Sequence, residues 1–216
     1  MSGWWDADGA ISGCVAAYQP VGAASLAASY SNLANPGTYD AAPGVAPTFS
    51  TTEGWILNGS TQWLDSGVTR GSGYTMIVRV YATGDGVPMG YLDGNITYFR
   101  VRGGDVIYFN NNTAATIAPG ALNQEIVLAM AGKAAYRAGS LVGTIGGSDA
   151  TGSTVSFGVA KTGHRFCACR IRAAAIYSGT LTAGEIATLT TLMGALPVSS
   201  AKGLPIIQHY HRQVWG

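Results

Sequence analysis

The sequence predicts an all-β fold: two antiparallel sheets packed face to face, with one short helix near the C-terminal end. Three observations carry this. Short apolar or alternating runs recur along the chain, separated by Gly, Asn, Pro and Asp turn signals, and 31 of the 216 residues are Gly. A single stretch, Thr182 to Met193, shows helical apolar spacing. The 47% hydrophobic share supplies a core large enough for a sandwich spanning residues 1–197 as one domain.

Residues 1–50 set Trp4, Trp5, Tyr18, Tyr30 and Tyr39 among Gly, Ala, Ser and Pro. Strands are expected near Cys14–Tyr18 and Ser25–Tyr30, with loops at Asn35-Pro36-Gly37 and around Pro43, Gly44 and Pro47. The organising stretch is Glu53–Val68, EGWILNGSTQWLDSGV. Trp55-Ile56-Leu57 and Trp63-Leu64 read as two strands of a hairpin around Asn58-Gly59, because Asn and Gly both tolerate positive φ. Two Trp so close to a turn predict that this end is pinned to the core by aromatic burial. Residues 74–81, YTMIVRVY, are apolar on both alternating faces and predict a central strand.

Residues 97–110 read as a hairpin with two registers to weigh. A two-residue turn at Gly103-Gly104 pairs Arg100 with Ile107 and Phe99 with Tyr108. A three-residue loop, Gly103-Gly104-Asp105, pairs Val101 with Ile107, Phe99 with Phe109, Arg100 with Tyr108 and Tyr98 with Asn110. The second sorts apolar from polar faces more cleanly and is preferred, with a Gly-based bulge. Further strands are expected at 124–131, 134–137, 141–145 and 153–160. In 166–177, FCACRIRAAAIY, Cys167, Cys169, Ile171 and Ala173 alternate with Arg170 and Arg172, which predicts a half-buried strand. Thr182-Ala-Gly-Glu185 is a capping box, and Ile186, Leu189, Leu192 and Met193 follow on one helical face up to Gly194–Pro197. From residue 198 a linker, SSAKG, leads into an apolar-aromatic arm holding Ile206, Ile207, Tyr210, Val214 and Trp215.

Two segments resemble laminin-G-like domains of the concanavalin-A-like lectin and glucanase superfamily. One is the Gly54–Leu64 stretch. The other is RIRAAAIYSGTLTAGEIATL, in which Ile176, Tyr177, Leu181, Thr182, Glu185 and Ile186 match a strand that ends in an aromatic residue before a closing helix. With Ser25–Leu33 and the middle strands the likeness runs over about residues 14–195. The resemblance implies a two-sheet antiparallel jelly-roll sandwich and a non-catalytic role in binding glycans or proteins. Some members hold calcium at a loop rim through Asp and backbone carbonyls. No acidic cluster here matches that pattern, so no cofactor or metal is expected. Glycosidases on this fold carry a Glu-x-Asp-x-x-Glu strand; this chain has only Glu53, Glu125 and Glu185, so no catalytic residues are assigned and a glycoside hydrolase is the distant reading.

Charge narrows the function further. Net charge is +1, which gives no electrostatic basis for nucleic acid or an anionic membrane. No run reaches the ~20 apolar residues of a membrane span, and MSGWWDADGAISG has no basic or long apolar region of the export type. Charged residues are only 11%, against about 25% in ordinary domains. The three cysteines, Cys14, Cys167 and Cys169, lack framework spacing and read as buried free thiols, with pairing of Cys14 to Cys167 or Cys169 left open. His209 and His211 are too few for a zinc site, and His164 reads as a solvated turn residue. Asn58, Asn95 and Asn111 stand in N-x-Ser/Thr triplets and read as loop asparagines. In the preferred register Tyr98, Arg100, Tyr108 and Asn110 share a face able to stack a sugar ring and bond its hydroxyls. Two functions follow: a homo-oligomeric subunit on the surface of a larger assembly, such as a bacteriophage virion component on capsid or tail docked through its arm, or a lectin-like carbohydrate-binding module.

Overall fold

The computed structural model describes residues 3–197 apart from 94, 111–112, 118–119, 121, 147–148, 150 and 161–164. The arm with Ile206, Ile207, Tyr210, Val214 and Trp215 lies outside the described residues, as do His164, His209, His211 and Asn111. In chain order the elements are β1 (Cys14–Tyr18), α1 (Leu26–Ser29), β2 (Ala42–Val45), β3 (Thr48–Ser50), β4 (Gly54–Asn58), β5 (Trp63–Thr69), β6 (Thr75–Ala82), β7 (Gly86–Asp93), β8 (Asn95–Val101), β9 (Val106–Asn110), β10 (Thr113–Ile117), β11 (Glu125–Ala131), β12 (Ala134–Arg137), β13 (Ser140–Thr144), β14 (Thr154–Phe157), β15 (Ala168–Tyr177) and α2 (Ala183–Ala195).

Among the described residues the strands form two antiparallel sheets. One has eight strands, ordered β13-β12-β11-β6-β15-β4-β3 with β1 also paired to β15. The other has seven, ordered β10-β9-β8-β7-β14-β5-β2. The expected sandwich with one helix near its end is therefore present. Between the sheets lies the main core, built around Trp55, Tyr18 and Phe157, whose ring centroids are 5.4–5.9 Å apart. Trp55 is fully buried and its indole N–H donates to Ser29 Oγ at 2.7 Å, so the aromatic pin expected of this residue is in place. Strand β6 is buried along nearly its whole length between β11 and β15, the central position its two apolar faces predicted.

A second core covers the outer face of the eight-stranded sheet. Ile186, Leu189 and Met193 of α2 pack there against Ile77, Val127, Ala129, Ala173 and Tyr177, beside Trp4 and Ile11 of the N-terminal segment. The capping box forms as expected: Thr182 Oγ1 accepts the Glu185 N–H, and Glu185 Oε2 accepts the Thr182 N–H. At the other end Arg79 Nη1 donates to the carbonyls of Met193 and Leu196, satisfying groups that a helix C-terminus leaves open.

Four expectations are corrected. Glu53–Val68 is not a hairpin: β4 belongs to the eight-stranded sheet and β5 to the seven-stranded one, so Asn58–Gln62 is a crossover between sheets. Asn58 Oδ1 accepts the amides of Ser60, Thr61 and Gln62, which lets the loop stand without strand pairing across it. Gly59 adopts φ 74° against Ala168, an approach that a side chain would block. Ser25–Tyr30 is a helical turn rather than a strand, because Ser25 Oγ caps it by accepting the Ala28 N–H at 3.1 Å. The Pro43–Gly44 loop is instead edge strand β2, where a missing N–H costs nothing on the open side. Strand β15 is buried on both faces beyond Arg172, since a register shift between Ile171 and Ala173 turns Ala173, Ala175 and Tyr177 toward α2. All three cysteines are free thiols, two of them buried.

Candidate functional site

The β8–β9 hairpin adopts the register with the shorter turn. Val101 pairs with Val106, Arg100 with Ile107, Phe99 with Tyr108, Tyr98 with Phe109 and Thr97 with Asn110. Arg102 N–H closes the end on Asp105 O at 2.9 Å. The preferred three-residue loop is thereby corrected, and with it the shared face of Tyr98, Arg100, Tyr108 and Asn110. Alternation places Tyr98 and Arg100 on the outer face of the seven-stranded sheet with Ile107 and Phe109. Tyr108 and Asn110 point between the sheets.

The inward pair is held by internal bonds. Tyr108 Oη donates to Tyr136 O at 2.6 Å, and burial pushes the phenol up from its ordinary value. Asn110 Nδ2 donates to Gly132 O at 3.1 Å and to Asp149 Oδ1 at 2.8 Å, while its Oδ1 accepts from Thr97 Oγ1. Asp149 also accepts from Arg70 Nη2 at 2.8 Å and from the Gly73 N–H, and the Arg70 side chain is fully buried. Burial alone would raise the Asp149 carboxyl. The bonds from Asn110 and Gly73, together with the Arg70 charge, outweigh it and hold the group below its ordinary value. This centre ties β9, the β5–β6 connection and the β11–β12 turn together. Sequence reading missed it, because the bonds joining Asn110 to Gly132, Asn110 to Asp149 and Arg70 to Asp149 span 22, 39 and 79 positions and no local pattern links them.

The outward pair belongs to an aromatic and cationic platform. Tyr98 packs on Phe109 with ring centroids 4.6 Å apart, and Val87, Ala160 and Ile96 surround them. Tyr98 is buried, whereas Phe109 and Arg100 keep part of their surface open. Burial raises the Tyr98 phenol, and Arg165 and Arg100 partly offset this. The Arg165 guanidinium lies 5.9 Å from the Tyr98 centroid, within cation–π range. Arg165 itself has φ 56°, uncommon outside glycine, and its carbonyl accepts the Val87 N–H. The segment bearing it is pinned at its base, where Cys167 N–H donates to Gly158 O and Gly158 N–H to Pro88 O. Beneath Tyr98 the chain needs Gly90: an added Cβ would stand 2.2 Å from the Tyr98 Cβ. Arg100 meets Asp85 through two bonds of 3.0 Å. The platform thus offers a ring edge for stacking, guanidinium donors and one carboxylate acceptor, of which sequence reading found Tyr98 and Arg100 but not Phe109, Arg165 or Asp85.

Every glutamate has a structural partner. Glu53 meets Arg170 and Arg172, Glu125 meets Arg79 and Arg172, and Glu185 caps α2. Among the described residues no three His, Cys, Asp or Glu side chains converge as a metal site would require, and no helix is long and apolar enough to cross a membrane.

No family model and no curated protein sequence matches this chain. Solved structures similar to it include a Trypanosoma rangeli sialidase in complex with sialic acid, at TM-score 0.63 and 14% identity over 87% of this chain and 34% of that one. The botulinum neurotoxin type G receptor binding domain is similar at TM-score 0.60 and 13% identity, over 83% of this chain and 51% of that one. The binding domain of botulinum neurotoxin serotype D is similar at TM-score 0.59 and 12% identity, over the same shares. The chain therefore spans about a third of the sialidase and about half of each toxin domain. At these identities the likeness establishes a fold shared by an enzyme and by binding domains.

Proposed function

We propose that the chain is a laminin-G-like recognition domain without catalytic activity, which binds carbohydrate on the outer face of the seven-stranded sheet. The observation that carries this is the platform of Phe109 and Tyr98 flanked by Arg165, Arg100 and Asp85. A sugar presents an apolar ring face to stack and hydroxyls in fixed directions to bond, and the platform supplies both kinds of contact. The engagement of all three glutamates by arginines or a helix cap supports a non-catalytic reading. So do the similar structures that are binding domains, while the sialidase keeps hydrolysis as the contrary outcome. The test is a glycan array followed by titration of whichever sugar is retained. Phe109→Ala and Arg165→Ala are each expected to weaken binding about tenfold, the loss of roughly 1.4 kcal/mol. Binding left unchanged by both variants would overturn the site, and release of free sugar on incubation would overturn the non-catalytic assignment.

A second reading is favoured by β13. This edge strand carries no charge and no Pro, its Leu141 is 56% exposed, and such an edge is open to pairing with another chain. It supports a homo-oligomeric subunit of a larger assembly, such as a surface component of a phage capsid or tail, with the 198–216 arm as a further contact. Glycan recognition and assembly are compatible in one virion protein.

A further inference from the structure

On the opposite outer side of the sandwich from the aromatic platform, a cleft of about 280 Å³ separates the N-terminal segment from the last turn of α2. Trp4, Ala7 and Asp8 form one wall, and Leu192, Ala195 and Pro197 the other. The volume lies just below that of ligand pockets, which run from roughly 300 to 1,000 Å³, so it seats one or two large side chains. Two polar groups at the cleft are incomplete. Trp4 is only 8% exposed, and its indole N–H has no acceptor among the described residues. The Asp8 side chain is exposed and meets no cation among them.

We propose that this cleft is the seat of the chain's own C-terminal arm, residues 198–216. The arm starts at Val198, directly after Pro197 in the cleft wall, and the Arg79 bonds to Met193 and Leu196 fix the direction in which the chain leaves. Its composition complements the cleft. Ile206, Ile207, Tyr210, Val214 and Trp215 supply apolar side chains; Lys202 and Arg212 supply positive charge of opposite sign to Asp8, and the arm holds no Asp or Glu. A peptide laid beside Trp4 brings the carbonyl oxygens that its N–H lacks. Tethering through the SSAKG linker sets an effective concentration near the millimolar range, which a second copy reaches only at comparable protein concentration. The consequence is that the most apolar stretch of the tail is covered within each molecule.

Limited trypsin digestion of the full chain reads this directly, since Lys202 and Arg212 are cleavage points within the arm. When opening is fast, cleavage tracks the population of the open form. Ala195→Arg fills the cleft and repels the cationic arm, and Asp8→Asn removes the charge at its lip; both positions are exposed and Asn tolerates the φ of 58° at position 8, so both variants keep the sandwich. Arm release is expected to be about tenfold faster in each variant than in the wild type, with a monomeric mass by light scattering throughout. Equal release rates in all three would overturn the seat. A wild-type oligomer that dissociates in Ala195→Arg would overturn the intramolecular arrangement and give the cleft to a neighbour's arm, as the assembly reading holds. Glycan binding at Phe109 is independent of both variants, so neither outcome bears on the recognition site.

Discussion

The two outer faces of the sandwich are treated differently. On the eight-stranded sheet, α2 and the Trp4 segment cover the strands, and Arg79, Arg172, Glu53 and Glu125 link the remaining surface into one ion-pair network. On the seven-stranded sheet, among the described residues, Ala160 and Arg165 lie over Val87 and Tyr98, while Phe109 and Arg100 stay partly open. Both faces contain aromatic residues and arginines, so composition does not separate them. Coverage does. Where the arginines meet carboxylates and helix carbonyls, they hold the fold. Where Arg165 lies over the Tyr98 ring beside a partly exposed Phe109, the guanidinium stands at the open surface.

Truncating one apolar side chain on the covered face should do the most damage. Leu189 is fully buried between α2 and the sheet, so Leu189→Ala loses its transfer free energy and leaves a cavity. The expected cost is about 3 kcal/mol, read from the shift of a urea unfolding midpoint. A cost below about 1 kcal/mol would mean that α2 is not integral to the fold, and the contrast between the faces would fail.

The Asp149 centre tests whether the sheets depend on each other at that end. Asp149→Asn keeps the shape but removes the charge opposite buried Arg70, at an expected cost of about 2 kcal/mol at neutral pH. The sign with pH follows from the lowered carboxyl. Unfolded Asp149 titrates near 3.8 and the folded group below it, so the unfolded chain binds more protons there. The contribution is complete above 3.8 and is lost as pH falls through the folded value. Wild-type and variant stability curves should therefore stand a constant distance apart above about pH 4 and converge in stronger acid; curves that stay parallel through that acid range would remove Asp149 from the account.

The legibility of these features from sequence depended on range. The capping box at Thr182 and Glu185 was readable because helix capping is decided within four residues. Strand β6 was readable because a strand apolar on both faces has few places but the middle of a sheet. The sheet to which β4 and β5 belong was not, because Asn58-Gly59 favours a turn without stating whether the strands on its two sides pair. The hairpin register turned on Asn110, a polar residue that periodicity assigns to the outside. It faces inward because Thr97, Gly132 and Asp149 complete its hydrogen bonds, and none of them is its sequence neighbour. Strand β7, with Pro88 and Gly90 breaking its pattern, gave no strand signal although it forms the floor of the platform.

The smallest expected effect on stability completes the comparison. Phe109 is an aromatic residue of the open face that leans on Tyr98 and keeps part of its surface exposed. Phe109→Ala should cost about 1 kcal/mol, composed of partial area loss and one ring contact. That is a third of the Leu189→Ala cost, from a larger side chain, measured on the same urea curves. If Phe109 serves only packing, its stability cost should match that of Leu189 and glycan binding should not change. If the open face is kept for recognition, the order reverses: Phe109→Ala leaves the fold nearly intact while binding falls about tenfold, and Leu189→Ala lowers stability while the remaining folded protein binds normally. The pair of variants, each assayed for both quantities, decides whether incomplete coverage of the seven-stranded sheet is a functional surface or merely a thin part of the core.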